Sequence, residues 1–160
     1  MLVVETQGLT TQDTVAASAQ LTTTGNIGGF EIFRWISFGQ EASVPLETRS
    51  PNRFVLVFDN TNGLTTGVAV SNLSVSQANI AVNLYEDTGA PLSPLPPPSP
   101  ISLPENGHIS FLLPDSTRYP ITANKRGIAE FVVPTGGKLS VIGLRAKSDG
   151  TLTTIPVLTK

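Results

Sequence analysis

The chain has 160 residues, the size of one domain and enough to bury a core without a covalent staple. It contains no cysteine, which excludes a disulfide scaffold, a thiolate metal site and a cysteine nucleophile. Ten basic and twelve acidic residues give a net charge of −2, without the basic footprint of a nucleic-acid-binding protein.

Short alternating runs separated by turn signals dominate the chain. Residues 1–16 are polar and aperiodic, and we interpret them as an N-terminal arm or linker. Residues 17–160 are predicted to form a single antiparallel two-sheet β-sandwich, Ig-like or jelly-roll-like, with about nine or ten strands and very little helix. The predicted strands are 18–24, 29–38, 41–47, 53–59, 65–73, 78–86, 108–113, 127–133, 138–147 and 151–158, with a further extended piece at 101–103.

The last two predicted strands form a hairpin. Asp149-Gly150 is interpreted as a two-residue type I′ turn, which places Leu144 opposite Ile155 on an apolar face. Pro156 lacks the backbone donor that a β-ladder needs. We therefore expect the last strand to lie at a sheet edge or to pair irregularly at this residue.

Residues 91–100 contain six prolines in ten positions. Such a run favours polyproline II and cannot lie inside a sheet. It is interpreted as a stiff loop across the outside of the sandwich. The alternative is a ligand for a partner domain with an aromatic groove.

Few residues could carry catalysis, and we expect the chain not to be an enzyme. The single histidine, His108, begins a predicted strand, and no Gly-x-Ser-x-Gly motif accompanies it. One histidine cannot build a zinc site that needs two or three. Glycoside hydrolysis through two facing carboxylates stays open as an alternative. Its candidate acids are Glu31, Glu41, Glu47, Glu86 and Glu130.

An oxygen-rich loop offers a candidate calcium site. Asp59, Asn60 and Asn62 lie within four residues of one another, and loops of this kind supply the oxygen ligands that calcium takes. An Asx-rich turn explains the same residues without a metal. Both interpretations stay open; apart from this structural calcium, no cofactor is expected.

Sugar binding needs exposed aromatic faces together with polar side chains. Trp35, Tyr85 and Tyr119 are the amphipathic aromatic residues, and Arg118 lies beside Tyr119. The alternative interpretation of Trp35 is that it is the central aromatic residue of the sandwich core. Tyr85 alternates with the apolar residues of its strand, so it is the better candidate for an exposed ring.

Several segments resemble an uncharacterised β-sandwich module found near the C-terminus of large secreted proteins of soil bacteria. The similar segments are 29–34, 61–72, 103–111, 125–127, 141–145 and 153–158. They consist of turns and core strands, so the resemblance brings no catalytic residue with it. It implies an extracellular accessory role beside neighbouring domains of a larger chain.

Membrane insertion is not expected, because the apolar run Phe54–Phe58 is only as long as a strand. The N-terminus lacks the basic region of a signal peptide, so the chain is either a cytosolic protein or an excised module of a secreted protein, and the composition favours the excised module. The leading hypothesis is a non-catalytic module that binds carbohydrate or a cell-surface polymer. The alternatives are a structural spacer or self-assembling adhesive subunit and, last, a glycoside-active enzyme.

Overall fold

A computed structural model describes residues 18–49, 51–92 and 100–160. The predicted arm, 1–16, and most of the proline-rich loop, 93–99, lie outside the described residues. The strands of the described part are β1 (Phe30–Trp35), β2 (Gln40–Pro45), β3 (Arg53–Asp59), β4 (Leu64–Asn72), β5 (Ala78–Glu86), β6 (Ile101–Leu103), β7 (His108–Leu112), β8 (Arg126–Val132), β9 (Leu139–Lys147), β10 (Leu152–Ile155) and β11 (Val157–Thr159).

These strands form antiparallel sheets packed against each other, which confirms the predicted all-β sandwich. One sheet has the order β10-β9-β4-β7 and the other the order β11-β3-β8-β5-β6, while β1 and β2 form a separate hairpin. In the described part of the chain, the helical structure consists of short 3-10 turns at Ile36–Phe38 and Pro120–Thr122. None of the helical structure in these ranges is long and apolar enough to span a membrane.

Alternation of inward- and outward-facing residues along the central strands builds the core. Phe54, Leu56 and Phe58 of β3 are buried, and Phe54 pairs with the equally buried Phe131 of β8. A buried Leu or Phe side chain contributes about 1.5–3 kcal/mol relative to an exposed one. The intervening residues of β3 face outward, so this strand separates the core from an outer sheet face.

The chain passes between the two sheets at Pro156. β10 pairs with β9 of one sheet and ends at Ile155, whereas β11 pairs with β3 of the other sheet. The strand predicted over 151–158 is therefore two edge strands. The expectation of an edge or irregular pairing at Pro156 is confirmed, because proline cannot continue a ladder.

The register predicted for the C-terminal hairpin is wrong by one residue. Leu144 pairs with Thr154, and Ile155 pairs with Gly143. The connection has three residues, because the backbone N–H of Lys147 donates to the carbonyl oxygen of Thr151 and Gly150 adopts a φ of 86°. A three-residue loop that ends in a left-handed glycine shifts the pairing by one position relative to a two-residue turn.

The predicted strand at 18–24 is also wrong. These residues are exposed and form no β-ladder with any other described segment. The Gln20 amide donates to the side-chain oxygen of Asn106 at 3.0 Å, and Ser18 Oγ lies 3.5 Å from His108 Nδ1. The segment therefore lies beside the turn between β6 and β7 without extending a sheet.

Candidate functional site

A shallow groove of about 360 Å³ lies on the outer face of the five-stranded sheet. Tyr85 is half-buried on this face and pairs with Ile128 of β8, and Glu130 pairs with Val55 of β3 one row further along. The described residues that line the groove are Arg53, Val55, Tyr85, Gly89, Ile128, Glu130 and Lys160. The register of β3, β8 and β5 thus places one aromatic ring beside apolar and charged side chains.

Glu130 is the most enclosed polar group of the groove. It is only 6% exposed although it faces outward, away from the core. Its carboxylate accepts from Arg53, with Nε 3.0 Å from Oε1, and from Asn83 Nδ2, 3.0 Å from Oε2. Charge-assisted bonds of this kind fix the three side chains in one arrangement.

The groove combines apolar and charged side chains. Tyr85 and Ile128 supply an apolar floor, and Glu130 supplies acceptor oxygens between two donors. Lys160 adds an exposed cation that forms no ion pair among the described residues. The sequence does not predict that Arg53, Glu130 and Asn83 meet, because only the pairing register of their strands makes them neighbours.

Tyr119 does not belong to this site. It is 3% exposed, and its ring packs against Phe111 with 5.9 Å between the ring centroids. Burial raises the pKa of Tyr119 to about 12, although the charge of Arg118 acts in the opposite direction. The expectation of an exposed sugar-binding ring is therefore wrong for Tyr119, which is a core aromatic residue.

Arg118 is exposed, and its guanidinium lies 5.5 Å from the centroid of the Phe111 ring. It covers the same aromatic cluster as Tyr119 and does not line the groove that contains Tyr85. Trp35 ends β1, where its backbone pairs with Gln40, and its side chain lies outside the described part of the structure. Arg118 and Tyr119 therefore do not share a surface with Tyr85.

The candidate calcium residues form the corner between β3 and β4. The Asp59 carboxylate accepts hydrogen bonds from the backbone and the hydroxyl of Thr61, at 3.0 and 2.7 Å. The buried Asn60 side chain donates to the carbonyl of Thr122 and accepts from the backbone N–H of Thr66. These contacts describe an Asx-type turn, and the calcium interpretation stays a prediction.

The pKa of Asp59 reflects this arrangement. Burial raises it, but the hydrogen bonds from Thr61 and the charges of Arg126 and Arg145 outweigh burial, so the pKa lies below its ordinary value. The described residues contain no group of three or more acidic or histidine side chains that could hold a metal ion. A ligand set for calcium at this corner would therefore depend on amide and carbonyl oxygens.

A second groove of about 270 Å³ is formed by charged residues alone. Glu86 lies 3.9 Å from Lys125 Nζ, and Asp87 lies 3.3 Å from the Arg126 guanidinium. Each carboxylate faces its own cation at an exposed position, so these pairs contribute little to stability. Without an aromatic residue, this groove lacks a platform for a sugar ring.

The fold and the outer-face groove define an all-β sandwich with an open, mixed-polarity sheet surface. A comparison with known protein families, curated proteins and solved structures found no match for this chain.

Proposed function

We propose that this chain is a non-catalytic, extracellular accessory module that binds carbohydrate or another cell-surface polymer through the outer face of its five-stranded sheet. The observation that carries the proposal is the placement of Tyr85 beside the fixed Arg53–Glu130–Asn83 cluster. The hydroxyl-rich, weakly charged composition of the chain agrees with it.

The chemistry of the groove suits a sugar polymer. A pyranose ring has an apolar face and a rim of hydroxyl groups, so it needs an aromatic or aliphatic surface flanked by donors and acceptors. Tyr85 and Ile128 offer the surface, and Glu130 offers acceptor oxygens that are already held in place. Side chains fixed before binding lower the entropy that association costs. The open shape of the groove suits a chain rather than an enclosed small molecule.

The glycosidase alternative receives less support. Such an enzyme needs two carboxyl groups about 5–10 Å apart across the substrate. Among the described side chains that line the groove, that of Glu130 is the one carboxylate, and Arg53 pairs with it. The nearby acids Glu86 and Asp87 belong to the separate charged groove, where each faces its own cation.

Affinity electrophoresis of the full chain in gels that contain individual polysaccharides tests the proposal. The panel should include neutral and uronic-acid polymers, because the groove holds two cations and one carboxylate. We expect retardation by at least one polymer and its loss in Tyr85→Ala. Val57→Ala is the matched control, since Val57 is 56% exposed on the same sheet face but does not line the groove.

Retardation that survives in Tyr85→Ala would exclude the groove as the binding surface. Trp35→Ala is the second arm, because Trp35 is also a predicted ligand-binding residue and its side chain lies outside the described part of the structure. If no polymer of the panel retards the wild-type chain, carbohydrate binding itself is excluded.

A self-assembling surface subunit is a second candidate, favoured by the β1–β2 hairpin. Phe30 and Ile32 on one face of β1 are 69% and 53% exposed, and Phe33 on the opposite face is 45% exposed. Within the described residues β1 pairs with β2 alone, so its other edge has free backbone groups. An exposed apolar edge strand is a template for pairing with a second copy of the chain.

Static light scattering over a concentration series tests self-assembly. If β1 pairs between copies, the wild-type mass rises with concentration, and Ile32→Thr lowers it while keeping a β-branched side chain. Val75→Thr is the matched control, since Val75 is 85% exposed outside the hairpin. A monomer at all concentrations, or equal effects of both variants, removes the support for this candidate.

A further inference from the structure

The chain contains two Asn-Gly pairs, Asn62-Gly63 and Asn106-Gly107. A glycine that follows an asparagine has no side chain to shield its own backbone nitrogen. This nitrogen can therefore reach the side-chain amide carbon of the asparagine. Both asparagines adopt a left-handed backbone, with φ of 53° and 54°. The two sites therefore match in the reacting residue pair and in the φ of the asparagine, and they differ in the hydrogen bonds that the surrounding structure makes to them.

At the first pair, the asparagine and the glycine occupy the two central positions of a tight turn. The backbone N–H of Leu64 donates to the carbonyl of Thr61 at 2.9 Å, and the φ of Gly63 is 77°. Two positive φ values at these positions define a type I′ turn. The closing donor of this turn is the N–H of Leu64, whereas the N–H of Gly63 makes no hydrogen bond among the described residues.

The side chain of Asn62 is equally unconstrained. It is exposed, and its amide nitrogen has one contact, 3.5 Å from the hydroxyl of Thr61. Both reacting groups, the Gly63 nitrogen and the Asn62 amide carbon, can therefore move into contact without breaking a strong hydrogen bond.

The second pair is positioned differently in its turn. Asn106 is the third residue of the turn, so the N–H of Gly107 is the closing donor and bonds to the carbonyl of Pro104 at 3.0 Å. The Asn106 side-chain oxygen also accepts from the Gln20 amide at 3.0 Å, and its nitrogen lies 3.4 Å from a carboxylate oxygen of Glu105. Attack by the Gly107 nitrogen requires the turn to open.

We infer that Asn62 is a site of spontaneous deamidation and that Asn106 is protected by the fold. Hydroxide removes the proton of the Gly63 backbone nitrogen, which then forms a bond to the Asn62 amide carbon. The bond from that carbon to the side-chain nitrogen breaks, and ammonia leaves with a proton from water. Water then opens the five-membered imide at one of its two carbonyls and gives aspartate or isoaspartate.

The product changes the corner that joins the two sheets. Either product adds a negative charge near the Asp59 carboxylate, which already accepts two hydrogen bonds from Thr61. Isoaspartate also adds a methylene group to the backbone of a two-residue turn, which alters the geometry that connects β3 to β4. Because the module is proposed to act outside the cell, this change would accumulate with the age of the protein.

Peptide mass spectrometry after incubation of the full chain at mildly alkaline pH tests the inference. Fragmentation that separates aspartate from isoaspartate follows both sites over time. We expect product at Asn62 to form at least about fivefold faster than at Asn106, the factor that corresponds to ~1 kcal/mol for one backbone hydrogen bond. Asn62→Gln should remove the fast product and leave the product at Asn106 unchanged.

The same incubation in concentrated urea separates folded structure from local sequence. Unfolding removes the closing bond of Gly107, so we expect the two rates to converge. Equal rates in the folded protein, faster reaction at Asn106, or a rate ratio that is unchanged in urea would each overturn the inference.

Discussion

The Nε atom of Arg53 lies 3.0 Å from Oε1 of Glu130, and this ion pair joins the first residue of β3 to the middle of β8. The Glu130 side chain is 9% exposed, whereas that of Arg53 is 43% exposed. The carboxylate has therefore lost much of its hydration and depends on Arg53 and Asn83 to replace it.

Removal of the Arg53 side chain alone should lower the free energy of unfolding more than removal of both Arg53 and Glu130. Arg53→Met leaves the Glu130 carboxylate with Asn83 as its remaining partner, and we expect a loss of ~1–2 kcal/mol, reduced from a fully buried pair because Arg53 reaches solvent. Adding Glu130→Met should restore most of this loss. Urea denaturation of the four proteins of a double-mutant cycle measures the coupling free energy. Additive effects of the two substitutions would contradict the interpretation.

Asn72 is predicted to be intolerant of an isosteric acid. The side chain is fully buried, and its amide nitrogen donates to the carbonyls of Ser76 and Pro104, both at 2.8 Å. Asn72→Asp replaces this donor by a charged acceptor that faces two carbonyl oxygens. We expect a loss of ~2–3 kcal/mol or more at neutral pH, measured by urea denaturation.

Acidification gives the control for this substitution. Once protonated, the carboxyl group of the Asn72→Asp variant can donate one hydrogen bond, so the difference in unfolding free energy from the wild type should shrink as the pH falls. A difference that is independent of pH would point to a packing defect instead.

Two glycines on different strands should respond differently to alanine. A Cβ at Gly127 would collide with the backbone carbonyl of Tyr85 and with the Phe58 ring. At Gly67 the nearest atom to a Cβ would be the Leu144 carbonyl oxygen, at 3.8 Å, an ordinary contact. We expect Gly127→Ala to lose ~1–3 kcal/mol and Gly67→Ala to lose less than ~1 kcal/mol, measured by thermal denaturation. Equal losses of stability would contradict the close approach of β5 to β8 at Gly127.

Tyr119 should make the fold sensitive to high pH. Its pKa is raised to about 12 in the folded chain, mainly by burial, whereas an unfolded tyrosine has a pKa of about 10. The unfolded state therefore releases this proton first, so the stabilising contribution is complete below about pH 10 and is lost as the pH rises toward 12. Tyr119→Phe should flatten the stability profile in this window.

The matched control for that measurement is Tyr85→Phe, which makes the same chemical change on the outer sheet face. Equilibrium unfolding at constant temperature should be followed from about pH 9 to about pH 12, a range set by the expected pKa values. If the Tyr119→Phe profile retains the full decline of the wild type, other groups cause the loss of stability.

The sequence alone determined the fold class and the positions of most strands. Alternation identified the segments from 53 to 59 and from 78 to 86 within the bounds of the structure, and it placed Tyr85 on the face opposite the apolar residues of its strand, which are the buried Ile80, Val82 and Leu84. The sequence also predicted the irregular strand pairing at Pro156, because proline lacks a backbone N–H wherever it lies in the chain.

Tertiary structure decided which residues meet. Asp149-Gly150 fits either a two-residue turn or the end of a three-residue loop, since glycine tolerates the positive φ that each requires. In the predicted register, Leu144 pairs with Ile155. In the observed register, Ile155 pairs with Gly143, which is buried on the core side, whereas Leu144 is only partly buried.

The candidate site depends on the same kind of information. Glu130 lies near Arg53 and Asn83 because three strands distant in the chain pair in one register, and strand pairing is settled by the packing of both sheets. Tyr119 is buried for the same reason: the cluster around Phe111 closes over its ring, and nothing local to residue 119 specifies that contact. Local chemistry fixes the strands and turns, whereas burial and neighbours arise only when distant segments pack.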